Sequence, residues 1–178
     1  MKDDLSVEEA AQKPTEQNEH LRKRVHDLEG QAKKIILYRV AADNLQATTT
    51  TGPLNLDQTQ GNLDIKTQGG SVTMSGVGAV GLRIAAGTGD VTFSGRLPKA
   101  GEHSIQTSSG NISVRVVKES AFRVAASTAG SLTVGQPFVL EQPEHTAGHW
   151  RGVINQGAML LALTSTSGNI LIGSDQSF

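Results

Sequence analysis

The chain of 178 residues carries 16 basic and 17 acidic side chains for a net charge of −1, with 37% hydrophobic residues, 3% aromatic residues and no cysteine. That balance removes any bulk electrostatic case for nucleic acid or an anionic membrane, and the missing cysteines exclude a disulfide scaffold and a thiolate metal site. With one Trp and one Tyr, a core must be filled by Val, Ile, Leu and Ala, and platforms for stacking bases or sugar rings are scarce.

Charge divides the chain: residues 1–45 hold 17 of the 33 charged side chains, whereas glycine lies almost wholly beyond them, with 19 of 20 after Gly30. Residues 1–16 are polar and aperiodic and read as a disordered leader. They are acidic where a secretion signal would be basic and then apolar, so the sequence as written points to the cytoplasm. No run of 18 apolar residues exists, so no helical membrane span is expected.

Residues 17–45 are expected to form an amphipathic α-helix and linker. Leu21, Val25, Leu28, Ala32 and Ile35 follow the 4-3-4-3 spacing of an apolar helical seam, and Glu19, Arg22, Lys23, Asp27 and Glu29 occupy the other faces. Such a helix can dock on the body of its own chain or pair with a second copy as a short coiled coil, through Leu21, Val25, Leu28 and Ile35. The segment Ile35–Val40 is apolar on both faces and is expected to be buried.

Residues 46–178 are expected to be an all-β domain built from repeats. A glycine followed by an alternating apolar strand recurs at Gly52, Gly61, Gly70, Gly89, Gly110, Gly130 and Gly168, at intervals of 9, 9, 19, 21, 20 and 38 residues. One unit of about 20 residues is thus repeated, sometimes split in half and once doubled. Residues two and four after each glycine are apolar and the one between is mostly polar or small, as in Leu63-Asp64-Ile65, Val91-Thr92-Phe93 and Ile112-Ser113-Val114. A second strand precedes most of the glycines, seen in Leu82–Ile84, His103–Ile105 and Phe122–Val124. Each unit is therefore two short strands joined by a Thr/Ser-Gly turn, and the glycine is assigned to the turn because it accepts positive φ. A unit this short cannot bury its own apolar face, so the units stack into a β-solenoid-like body. Between Gly130 and Gly168 the phrase is lost, and residues 136–150, with Pro137, Pro143 and Gly148, read as an irregular loop. Leu160 and Leu171 lie on the outward side of apolar strands and call for a cover.

Several constellations suggest chemistry and fail on context. Gly76-Val-Gly-Ala-Val-Gly81 satisfies a dinucleotide fingerprint, but a strand and a turn follow it where a helix should hold the pyrophosphate. Glu141, Glu144, His145 and His149 form one group of metal-ligand types, yet Pro143 and Gly148 oppose the helix that a zinc-binding His pair needs. Asp90 is the one acidic residue that directly follows a repeat glycine, too few for a calcium array. Arg83, Arg115 and Arg123 occupy outward strand positions that stacking could align into a basic stripe, but outward charges also keep strands soluble. No nucleophile elbow or triad order exists, so no catalytic residue, cofactor site or metal site is assigned.

Thr107-Ser-Ser-Gly-Asn-Ile112, Phe122–Gly130 and Leu163-Thr-Ser-Thr-Ser-Gly-Asn-Ile170 resemble a bacterial adhesin-like domain family of unknown function, built from repeated Thr-x-Ser-Gly-x-Ile phrases. The resemblance covers about residues 46–173 and implies a β-solenoid-like fold and association with the cell envelope. It carries over no functional residues. The expected function is a non-catalytic structural or interaction protein, a stiff β scaffold that forms a homo-oligomer or holds a protein partner. The alternatives are a β-helical filament protein of cytoskeletal type and a surface module that binds glycan or protein.

Overall fold

The structure is a computed structural model that describes residues 22–26, 34–97 and 102–175. Every regular element among them is a strand, and the strands fall into two parallel stacks that share one core. The first stack contains β2 (Ile35–Tyr38), β4 (Leu54–Asp57), the start of β6 (Val72–Thr88), β7 (Val91–Arg96), β9 (Ile112–Val116), β15 (Ile170–Ser174) and β11 (Leu132–Val134), in that spatial order. The second contains β1 (Arg22–His26), β3 (Ala41–Thr49), β5 (Gln60–Thr67), the end of β6, β8 (Glu102–Ser109), β14 (Met159–Ser167) and β10 (Phe122–Thr128). An antiparallel hairpin, β13 (His149–Ile154) and β12 (Glu141–Thr146), extends the second stack beyond β10.

In-register parallel pairing places like residues over like, which is why period-two alternation becomes a core. In the first stack Ile35, Leu54, Val72, Val91, Ile112, Ile170 and Leu132 form one column, and Leu37, Leu56, Met74, Phe93, Val114, Ile172 and Val134 form another. The second stack answers with Leu45, Leu63, Leu82, His103, Leu161 and Val124, and with Ala47, Ile65, Ile84, Ile105, Leu163 and Ala126. Each fully buried Leu, Ile or Phe contributes about 1.5–3 kcal/mol, and no single rung can bury its residues without the rungs on either side.

Strand β6 runs through both stacks without a break, so the chain turns a corner inside a strand. Gly76, at φ 63°, and Gly81 mark that corner, where pairing with β7 and β5 shifts register. The glycines of the apparent dinucleotide fingerprint are thus corner residues of a strand, and β6 continues through residues 82–88 where a phosphate-binding helix would be needed.

Two sequence expectations are overturned. Among the described residues of the expected amphipathic helix over 17–45, and of the coiled coil drawn from it, the regular elements are strands: Arg22–His26 pairs with Asn44–Thr48, placing Val25 opposite Ala47, and Ile35 heads a core column. Leu21 and Leu28 lie outside the described residues. Helical spacing is a weak prior, and an existing sheet edge offers a β-branched pair such as Ile35-Ile36 both backbone hydrogen bonds and a buried face. Residues 136–150, expected as a loop, instead contain β12 and the start of β13. Their turn, Ala147-Gly148, has φ of 44° and 82°, the two positive values of a tight hairpin turn. Pro143 is tolerated because β12 is an edge strand with a bulge between Glu141 and Glu144.

The order of the rungs departs from the order of the chain. From β2 to β9 each turn adds the next rung; after β9 the chain leaves one rung empty, builds β10 and β11 beyond it, and returns at its C-terminal end to fill the gap with β14 and β15. The 38-residue interval between Gly130 and Gly168 is therefore an excursion through the hairpin and back.

Candidate functional site

Where the second stack turns into the first, the repeats present a hydroxyl, a glycine and a short polar residue, with Ala86 and Pro53 as exceptions, and these line up into a spine. A Cβ built on Gly70 would lie 2.2 Å from the carbonyl oxygen of Gly52. One on Gly89 would lie 2.7 Å from Gly70 O, and one on Gly110 2.2 Å from Gly89 O. The column continues in spatial order, with Gly168 2.1 Å from Gly110 O and Gly130 2.3 Å from Gly168 O. Real Cβ atoms do not approach oxygen so closely, so close backbone stacking requires glycine at these five positions, while Gly89 at φ 135° and Gly110 at φ 159° add a backbone preference. Gly61 belongs elsewhere: it lies within β5 at φ 125°, half a turn from this column, over the carbonyl of Ala42.

Behind the glycines runs a column of Thr49, Thr67, Ala86, Thr107, Ser165 and Thr128, buried throughout. Ser165 Oγ donates to Gly110 O at 2.8 Å, Thr107 Oγ1 to Gly89 O at 3.2 Å, and Thr128 Oγ1 to Gly168 O. These hydroxyls satisfy carbonyls that the turn leaves without strand partners, which is why buried polar side chains persist in an apolar body. Thr67 Oγ1 has no partner. In front of the glycines an exposed ladder connects the next residues: Asn111 N donates to Asp90 Oδ1 at 2.8 Å, Asn169 N to Asn111 Oδ1 at 2.9 Å, and Ser131 N to Asn169 Oδ1 at 3.0 Å. From Thr107 to Asn111 and from Ser165 to Asn169 the hydroxyl, the glycine and the Asn are all used in joining one rung to the next.

The end hairpin gathers the group of metal-ligand types. The His145 ring stacks on Trp150 with centroids 4.6 Å apart and planes 11° from parallel. Glu144 stands opposite Arg151 and, beyond the bulge, Glu141 stands opposite Val153. Among the described residues no three His, Asp or Glu side chains come together to hold a metal ion. The outer face of the second stack beside the hairpin is a shallow depression of 460 Å³, floored by Ala125 and Ala162 and bordered by Glu144, His149 and Arg151. It presents both signs of charge on small residues, a surface suited to contact.

The arginines expected as a stripe are separated. Arg83 and Arg123 lie on the second stack in different rows, aligned with Asp64 and Leu160 respectively, and Arg115 lies on the first stack beside Ser94. Their charges are distributed over two faces. Leu171, expected to need a cover, is 38% exposed between Ser113 and Thr133. No described helix is long and apolar enough to cross a membrane.

One inward position of a strand is polar and titratable. His103 occupies a column position between Leu82 and Leu161, is 1% exposed, and neither ring nitrogen has a hydrogen-bond partner. Burial lowers its pKa below the usual histidine value. The signal was available: His103 falls at an inward position of the alternating strand His103-Ser104-Ile105.

Comparison with known proteins follows the fold. The profile of the family described as Toastrack DUF4097 matches residues 4–173. No curated protein matches the chain. A solved structure, the crystal structure of a candidate cell adhesion protein from Clostridium sporogenes ATCC 15579, is similar to this chain at 14% identity with a TM-score of 0.48. The alignment covers 69% of this chain and 56% of that one, so this chain spans little more than half the length of that relative.

Proposed function

The chain belongs to the Toastrack DUF4097 family, and we propose that it works as a non-catalytic structural or interaction protein, a stiff β-repeat scaffold that self-associates into small oligomers. The observation that carries this reading is the spine. From Gly52 to Gly130 the recurring phrase is used for close backbone stacking, and three of its buried hydroxyls are spent on glycine carbonyls. A phrase committed to rung-to-rung contact leaves the outer faces of the stacks as the surface on which function rests. The adhesin-type role implied by the sequence resemblance belongs to the same class of activity.

Small oligomers are favoured over filaments because the hairpin end is guarded against pairing. Strand β12 is exposed along its length, carries Glu141, Pro143 and Glu144, and is bulged. Charge, proline and a bulge on an edge all oppose the addition of another strand. Light scattering and negative-stain microscopy of the full chain over a range of concentrations test the proposal. A discrete dimer or small oligomer is the expected result; a monomer at every concentration overturns self-association, and filaments overturn the guarded end.

A further inference from the structure

We propose that the rung between β8–β9 and β10–β11 is a strand-acceptor slot that takes the C-terminal strand pair β14–β15 from a second copy of this chain as well as from its own. The inference rests on the self-association reading above and names the contact through which it occurs.

The slot is an independent feature of the topology. Strand β14 pairs with β8 on one side and β10 on the other, and β15 pairs with β9 and β11, all in parallel. The inserted pair brings Met159, Leu161, Leu163, Ile170 and Ile172, each no more than 1% exposed, together with Ser165 for the hydroxyl column, Gly168 for the glycine column and Asn169 for the ladder. Without it the rungs on both sides would expose their backbone edges and a cross-section of core. What the slot accepts is therefore defined chemically: a parallel strand, a Ser/Thr-x-x-Gly-Asn turn and a second parallel strand. A second copy supplies this segment at no cost in complementarity, because identical residues make identical contacts.

The hinge favours exchange. Residues 155–158 carry the chain from β13 past β10 to β14, and a Cβ at Gly157 would lie 1.9 Å from the backbone of Ala121 and Phe122. Asn155 and Gln156 both hold left-handed backbone, with φ of 51° and 55°. Such values cost energy for residues other than glycine, Gln156 above all, while Asn155 is compensated by donating to the Lys118 and Ser120 carbonyls. A short strained hinge attached to a self-contained element is the arrangement that swapping relieves, since opening the turn removes the strain and every other contact is remade in the partner.

The absence of cysteine from the chain allows a direct test. Ser113 of β9 and Leu171 of β15 are register partners on the outer face, and parallel neighbours about 4.8 Å apart lie within reach of a disulfide. Full-length Ser113→Cys and Leu171→Cys proteins are mixed, incubated folded and also refolded together, oxidised, and run on a non-reducing gel. The expected result is a covalent heterodimer, well above that formed by the mismatched pair Thr73→Cys and Leu171→Cys, in which Thr73 lies rungs away on β6. The double variant Ser113→Cys/Leu171→Cys reports the register itself and is expected to form the disulfide. Equal crosslinking of matched and mismatched pairs, or no heterodimer, overturns the proposal, as does a double variant that fails to form the bond. Light scattering on the unmodified chain separates the two ideas: oligomers without matched heterodimer leave the scaffold reading standing and remove this one.

Discussion

The rungs from β2 to β9 and those from β15 to β11 are built from the same phrase but assembled by different rules. In the first region each strand lies on a strand 18–22 residues before it, as Leu54 lies on Ile35, Val72 on Leu54, Ile112 on Val91 and Asn44 on Arg22. In the second, Ile170 sits on Ile112, 58 residues earlier, and Leu132 sits on Ile170. The spine of glycines, hydroxyls and Asx residues runs across the junction without a change of chemistry. Rung-to-rung contact is thus set by the phrase and is indifferent to chain distance, whereas the cost of closing the long loop grows only slowly with its length.

Truncation tests that contrast most severely. Ending the chain at Gly157 removes five fully buried side chains from the middle of the stack, about 8–15 kcal/mol at 1.5–3 kcal/mol each, comparable to the whole stability of a domain. The expected outcome is loss of a cooperative unfolding transition in urea followed by circular dichroism. Removing residues 1–39 takes an end rung, and a cooperative transition with a lower midpoint is expected. If both truncations merely lower the midpoint, the two regions do not differ as described.

Glycine substitutions ask whether the inserted rung is treated like the others. Gly168→Val and Gly70→Val each drive a side chain into the carbonyl of the rung beneath, and each is expected to cost about 3 kcal/mol or more. Matched losses by chemical denaturation would establish one continuous spine; a wild-type midpoint for Gly168→Val would break it at the insertion.

The hydroxyl column offers a finer contrast. Ser165→Ala removes a buried donor to Gly110 O and should cost about 1 kcal/mol. Thr67→Val, in the sequential region, removes a hydroxyl without a partner and should be neutral or slightly stabilising. Thermal melts of the two variants against the parent decide the matter.

His103 gives the effect with the narrowest window. It borders the inserted strand, and its neighbours in the column, Leu82 on β6 and Leu161 on β14, are apolar, while Glu102, Arg83, Arg96 and Arg115 are exposed. Its folded pKa is depressed by burial, so the unfolded chain binds the proton more readily. Its contribution is therefore at full strength above the unfolded value near 6.5 and is lost as pH falls below it toward the folded value. His103→Leu should remove that slope, so that the variant loses less stability than the parent between neutral and mildly acidic pH. Parallel denaturation curves across that range would show otherwise.

Much of the fold was legible in the residues. The alternation at Leu63-Asp64-Ile65 and its copies marked inward and outward positions, and the glycine spacing marked a stacking period, because strand pattern and turn chemistry act over a few residues. The role of the glycines was legible only in part: positive φ accounts for Gly89 and Gly61, but at Gly70, Gly130 and Gly168 the requirement comes from a carbonyl on another rung. The strands at Arg22–His26 and Ile35–Tyr38 were masked by a helical spacing that tertiary pairing overrode. The hairpin was masked by Pro143, harmless at an edge.

Each repeat carries within its own residues the pattern of a short strand pair joined at a hydroxyl-glycine turn, which is why a stack could be read from the chain. Which repeat lies on which emerges from the pairing of strands far apart in the chain. Thr107-Ser-Ser-Gly-Asn-Ile112 and Ser165-Thr-Ser-Gly-Asn-Ile170 carry nearly the same surface, and in-register parallel pairing accepts either as a neighbour. The excursion through the hairpin and the return of β14 and β15 between β8–β9 and β10–β11 settle the choice, because there the apolar positions of the returning strands are covered by a rung on either side.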